Sequence, residues 1–101
     1  MKNDQEYLLN NREKFNNELL DFIAIPSIAA LPEHAEDVQR AASWLEKKLF
    51  DVGVENVEVM ETGGQPAVYG DWMHAGNDKP TVLIYGHFDV QPVDPVELWD
   101  H

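Results

Sequence analysis

One short run limits what this chain can fold into more than any other. It is Thr81-Val-Leu-Ile-Tyr-Gly86, followed at once by His87-Phe88-Asp89 and closed by Pro92. Such a continuously apolar, β-branched run fits a strand covered on both faces, as in the middle of an α/β sheet. A half-wet strand would alternate polar and apolar positions instead. The fold therefore has to supply layers on both sides of residues 81–85. Side chains able to bind a ligand stand at the carboxyl end of that run.

In α/β sheets, ligand sites lie outside the carboxyl ends of the strands. Residues two apart in an extended chain point to the same side, so His87 and Asp89 would project into one crevice. Gly86 would allow the close approach of a neighbouring element or an unusual backbone angle. Two readings of the pair stand on the residues alone. A neutral imidazole is a good zinc ligand, and a nearby carboxylate can orient it. Equally, a strand-end histidine can simply be hydrogen-bonded to a loop carboxylate.

The rest of the chain supplies helices first and short strands after them. Leu8, Phe15, Leu19, Phe22 and Ile23 share one face, which predicts a helix over residues 4–24. Pro26 stops it. Residues 26–32 form a linker too apolar to be fully solvated. A second helix is predicted over 33–52, with Val38, Ala41, Ala42, Leu45, Leu49 and Val52 as its buried stripe. Glu33, Glu36 and Asp37 begin it, Lys47 and Lys48 lie near its end, and Gly53 terminates it. Residues 54–61 alternate as a strand, Gly63-Gly64 turns the chain, and residues 67–72 return as a hairpin partner. Helices followed by strands predict an α/β fold of two amino-terminal helices packed on the first strands of a mixed sheet.

Composition removes whole classes of function. The 101 residues carry 19 acidic and 7 basic side chains, a formal charge of −12. No clustered cations are present to meet nucleic acid or an anionic membrane. The chain has no cysteine, so a metal would be held by His and carboxylate groups. No signal peptide or membrane span is evident, which predicts a cytoplasmic protein. His34, in a helix's first turn, and His74, in a polar loop, are read as solvated. Trp44, Trp72 and Trp99 are read as packing residues, and Glu55, Glu58 and Glu61 as the wet face of an edge strand. The tail after Val93 supplies no element to cover the strand at 81–85, so the sequence reads as part of something larger.

The stretch Val82-Leu-Ile-Tyr-Gly-His-Phe-Asp-Val-Gln-Pro92 resembles the signature of a zinc metallopeptidase family. That family holds carnosinase-type dipeptidases, carboxypeptidase G, aminoacylase and succinyl-diaminopimelate desuccinylase. The order upstream also resembles it, with an Ile25-Pro26-Ser27 corner between the helices. Val90-Gln91 is similar to the carnosinase-like branch. The resemblance implies that His87 ligates one zinc of a two-metal site (Mn2+ or Co2+ being alternatives) and that Asp89 is the catalytic-site carboxylate orienting it. It implies hydrolysis of dipeptides or related small amides by a metal-activated water, and a homodimer in the full-length protein. It also implies that residues 1–101 are the amino-terminal part of the catalytic domain, with the remaining ligands, the general base and the lid and dimerisation domain beyond His101. On that reading the chain alone is inactive, and its uncovered strand self-associates. Two alternatives remain: a non-catalytic acidic α/β interaction module, and an iron-dependent oxygenase fragment built on His87-x-Asp89.

Overall fold

A computed structural model describes residues 2–100; His101 lies outside the described residues. Helix α1 spans Lys2–Asn10, α2 spans Arg12–Ile23, and α3 spans Ala35–Asp51. Strands β1 (Glu55–Met60) and β2 (Ala67–Asp71) form an antiparallel hairpin. The molecule is thus mixed α/β, as the patterning predicts. Among the described residues its sheet is this two-stranded hairpin.

The single helix predicted over 4–24 is divided at Asn11. The Asn11 amide side chain donates to the Tyr7 carbonyl at 2.9 Å, a local bond of the kind by which asparagine competes with regular helix geometry. Tyr7 and Phe15 pack across the bend, ring centres 5.8 Å apart. The apolar stripe then meets little cover: Leu8, Leu19 and Ile23 are more than half exposed. Only its far end docks, where the Phe22 ring lies 4.9 Å from that of Trp44 on α3. Lys48 of α3 reaches back to Glu18 at 3.1 Å.

Helix α3 organises the core. Val38, Ala41 and Ala42 are buried, and α3 is the helix on which the hairpin packs. Two alanines in succession let the strands come close to the helix axis. At the carboxyl end, the Gly53 amide bonds to the Phe50 carbonyl at 3.1 Å and the Val54 amide to the Leu49 carbonyl at 3.0 Å. Gly53 has φ +92°. This pair of bonds around a left-handed residue is the Schellman closure, which satisfies two otherwise orphaned carbonyls.

The hairpin alternates as expected, Val57 and Val59 half-buried, Glu58 and Met60 exposed. Its register contains a bulge that the alternation does not reveal. Met60 pairs with Ala67, Val59 with Val68 and Glu58 with Tyr69, but Glu55 pairs with Asp71. One extra residue is therefore housed on β1. Asn56 takes the strained place, φ +53°, and its amide donates to Asp71 at 2.9 Å. Opposite the bulge, a Cβ on Gly70 would lie 2.6 Å from Val54 Cγ1, so the strand entry is pressed against bare backbone.

The linker is the second centre of burial. Ile25, Ser27 and Ile28 are all buried, as its apolar character requires. The largest departure from the sequence reading is at residues 81–85. The segment has no strand partner, and Val82, Leu83, Ile84 and Tyr85 are 79–90% exposed. A strand exists only by exchanging backbone hydrogen bonds with a neighbour, and neither β1 nor β2 extends its ladder to this run. Trp99 is likewise 63% exposed rather than packed.

Candidate functional site

Residues 84–89 border an apolar cleft of about 710 Å³, whose other walls are α3, through Val38, Leu45 and Leu49, and the start of β2. Phe88 is half-buried, while its neighbour His87 keeps an imidazole that is 77% exposed. The geometry within the pair is direct: His87 Nδ1 lies 2.9 Å from Asp89 Oδ1. In a neutral imidazole, Nδ1–H donates to that carboxylate, which leaves the Nε2 lone pair free. A carboxylate on one ring nitrogen fixes the tautomer and raises the basicity of the other. The two-residue spacing thus brings the two side chains together as predicted, although the segment is not part of a sheet. Gly86 plays no crowded role, since a Cβ there would meet nothing within 4 Å.

The backbone under the pair is anchored. Ser27 Oγ donates to the Phe88 carbonyl at 3.1 Å, and the Val90 amide donates to the Ser27 carbonyl at 2.9 Å. Sequence reading assigned the Ile25-Pro26-Ser27 corner to family likeness and missed this contact. The available signal was a small hydroxyl residue inside an otherwise apolar linker.

The other histidines are paired rather than simply solvated. His34 Nδ1 lies 2.8 Å from Asp37 Oδ2, while Arg40 holds the other oxygen at 2.7 Å. The His34 bond is the main cause of a lowered Asp37 pKa, with Arg40 adding to it. His74 Nε2 reaches both oxygens of Glu55, at 2.8 and 2.9 Å, and its ring meets Trp72 edge-on. Beside it, Asp71 accepts from Asn56 and from the Tyr69 hydroxyl, and these bonds lower its pKa. The same contact raises that of Tyr69.

The donor chemistry fits zinc at one corner. His87 offers an unblocked imidazole nitrogen with a carboxylate behind it. A catalytic zinc takes three protein ligands, and among the described residues no group of three His, Cys, Asp or Glu side chains converges to hold a metal ion. Nor is any helix among the described residues long and apolar enough to cross a membrane.

Comparison with known proteins gives the same direction. The chain is 33% identical to the cysteinylglycine-S-conjugate dipeptidase of Corynebacterium striatum, over 88% of this chain and 19% of that protein. It is 33% identical to a Cys-Gly metallodipeptidase of Candida albicans, over 87% of this chain and 20% of the other. It is 27% identical to the Beta-Ala-His dipeptidase of Rattus norvegicus, over 93% and 21%. The chain therefore spans about a fifth of the length of the curated relatives it matches. No protein-family model matches it, and no solved structure matches it significantly.

Proposed function

The chain belongs to the metallodipeptidase family, and from that premise we propose that its residues supply one corner of a two-zinc centre that hydrolyses dipeptides or related small amides. The observation that carries the reading is the 2.9 Å contact of His87 Nδ1 with Asp89 Oδ1. It leaves Nε2 as the one imidazole nitrogen able to take a metal. When bound, a zinc pair lowers the pKa of a water molecule and polarises the amide carbonyl.

Within this chain the division of labour is simple. His87 is the ligand. Asp89 holds the Nδ1 proton, keeps the ring in one tautomer and fixes its plane. Phe88, between them, turns inward and anchors the pair to the apolar cleft. The further ligands and the general base belong to the remainder of the relatives' length. On this reading residues 1–101 are the amino-terminal part of the catalytic domain, the lid and dimerisation domain lies elsewhere, and the complete protein is a cytoplasmic homodimer acting on dipeptides.

The single ligand also sets what the chain does by itself. With Zn2+ or Mn2+ added, the 101-residue chain hydrolyses neither a Cys-Gly nor a β-Ala-His dipeptide. A metal-dependent release of amino acids above background, lost on His87→Ala, would overturn this. Zinc titration followed on the imidazole nitrogens tests the ligand itself. Nε2 of His87 shifts first, and the shift disappears in His87→Ala. The rival interaction-module reading expects no such response. The iron-oxygenase alternative gives way to family membership.

A further inference from the structure

We propose that Ser27 is the positioning residue of the His87–Asp89 pair, setting the imidazole tautomer and thereby the readiness of Nε2 for a metal. The inference rests on the reading of His87 as a ligand, but it makes a claim about the chain without metal.

Ser27 acts on the pair through two bonds of opposite sense. Its hydroxyl donates to the carbonyl of Phe88, the residue between His87 and Asp89. Its own carbonyl accepts from the amide of Val90, the residue after Asp89. The backbone is thus gripped at a carbonyl and at an amide within three consecutive residues. That grip restrains the peptide units on both sides of Asp89. The distance between the two side chains depends on those units, because among the described residues each side chain has the other as its hydrogen-bond partner.

The grip comes from a rigid place. Ser27 is 2% exposed and sits between buried Ile25 and Ile28, with Pro26 fixing the local backbone angle. Ser27 N and Ile28 N are themselves bonded, to the Ile25 and Pro26 carbonyls at 2.8 Å each. The linker is tied on its other side to the hairpin turn, where Gln65 donates to the Ala29 carbonyl at 3.2 Å. Residues 81–85, by contrast, give the pair no support, Val82 to Tyr85 being exposed and the run outside any strand ladder. With nothing rigid before it, the His87 segment takes its geometry from the Ser27 corner. A buried hydroxyl removed from such a place leaves the Phe88 carbonyl without its bond and the pair free to rotate apart.

The test reads the ring, not stability. Long-range proton–nitrogen spectra of the 101-residue chain are recorded without metal at about pH 8.5. His87→Ala assigns the signals. The wild-type chain shows His87 as one tautomer, Nδ1 protonated and Nε2 bare. In Ser27→Ala the two nitrogen resonances move toward each other, as in a freely exchanging imidazole. Ser27→Thr keeps the donor and restores the separation. Ala41→Gly, in the buried part of α3 and away from the cleft, lowers the melting temperature yet leaves the His87 signals in place. The proposal is overturned if wild-type His87 already exchanges freely, or if Ser27→Ala only lowers the melting temperature as Ala41→Gly does. Zinc titration then separates the two claims. Loss of orienting support typically weakens metal capture by about 10-fold or more, so Ser27→Ala shifts the Nε2 titration to higher Zn2+. If zinc leaves Nε2 untouched in the wild type while the tautomer effect stands, the ligand reading fails and the positioning of the pair survives.

Discussion

Asp71 shows how much a single half-buried carboxylate can organise. It accepts from Asn56 at 2.9 Å and from the Tyr69 hydroxyl at 2.7 Å, closing the bulge from both strands. Those bonds favour the ionised form, so its pKa falls below the usual carboxylate value. Asp37 and Asp51 are shifted in the same direction, by the bonds from His34 and Lys47 respectively. A carboxyl whose folded pKa is depressed holds fewer protons folded than unfolded. Its contribution is therefore complete above the unfolded value of about 4 and lost as pH falls through the folded one. We expect the urea midpoint to drop on going from pH 7 to pH 3, and Asp71→Asn to reduce that drop. An unchanged pH dependence in the variant would count against this role. At this scale the sequence was informative where chemistry and spacing coincide, as at His87 and Asp89. It was silent on Asn56 and Ser27, whose roles depend on partners 15 and 61 residues away.

Among the elements, α3 is the one most completely legible. The buried Val38, Ala41 and Ala42 of its stripe, its charge placement and its glycine stop follow from 3.6-residue periodicity and end effects, whereas Val52, expected in the same stripe, lies past the helix's last turn and is 69% exposed. Its closure gives a direct check. Gly53→Ala forces a Cβ into φ +92°, at a cost of about 1–2 kcal/mol, readable as a lower denaturant midpoint with unchanged slope. Gly70→Ala fails for a different reason, the 2.6 Å approach to Val54 Cγ1. Overpacking of that kind costs about 1–3 kcal/mol, and Val54→Ala in the same chain should recover part of it. The hairpin's existence was readable from alternation and the Gly63-Gly64 turn, but its bulge was not. Alternation reports which side chains are wet, and a one-residue irregularity near a strand entry leaves that pattern intact. Residues 81–85 mark the opposite case. Their composition correctly describes a segment that wants cover on both faces, but composition cannot say whether the covering layers lie within the same residues.

For the whole molecule, that run is the dominant liability. Four consecutive large apolar side chains, Val82 to Tyr85, stand in water, and an unpaired β-prone apolar run is a template for other chains. The net charge of −12 opposes association globally, but the run itself carries no charge to guard it. We expect concentration-dependent association by light scattering, reduced by Ile84→Lys. A monodisperse monomer at high concentration would sink the idea.

The bond from Ser27 to Phe88 ties positions 61 apart in the chain and so makes most of the molecule a single closed loop. Closing a loop costs entropy that grows only with the logarithm of its length, about 0.6 kcal/mol per doubling. The exposed stretch around His74–Pro80 lies on that loop. Extra residues spliced in there would lengthen the circuit considerably and yet scarcely loosen the fastening. The corner that holds His87 is thus insulated from the bulk of the thread running between its two ends, and evolution or engineering can vary the surface loop without retuning the site.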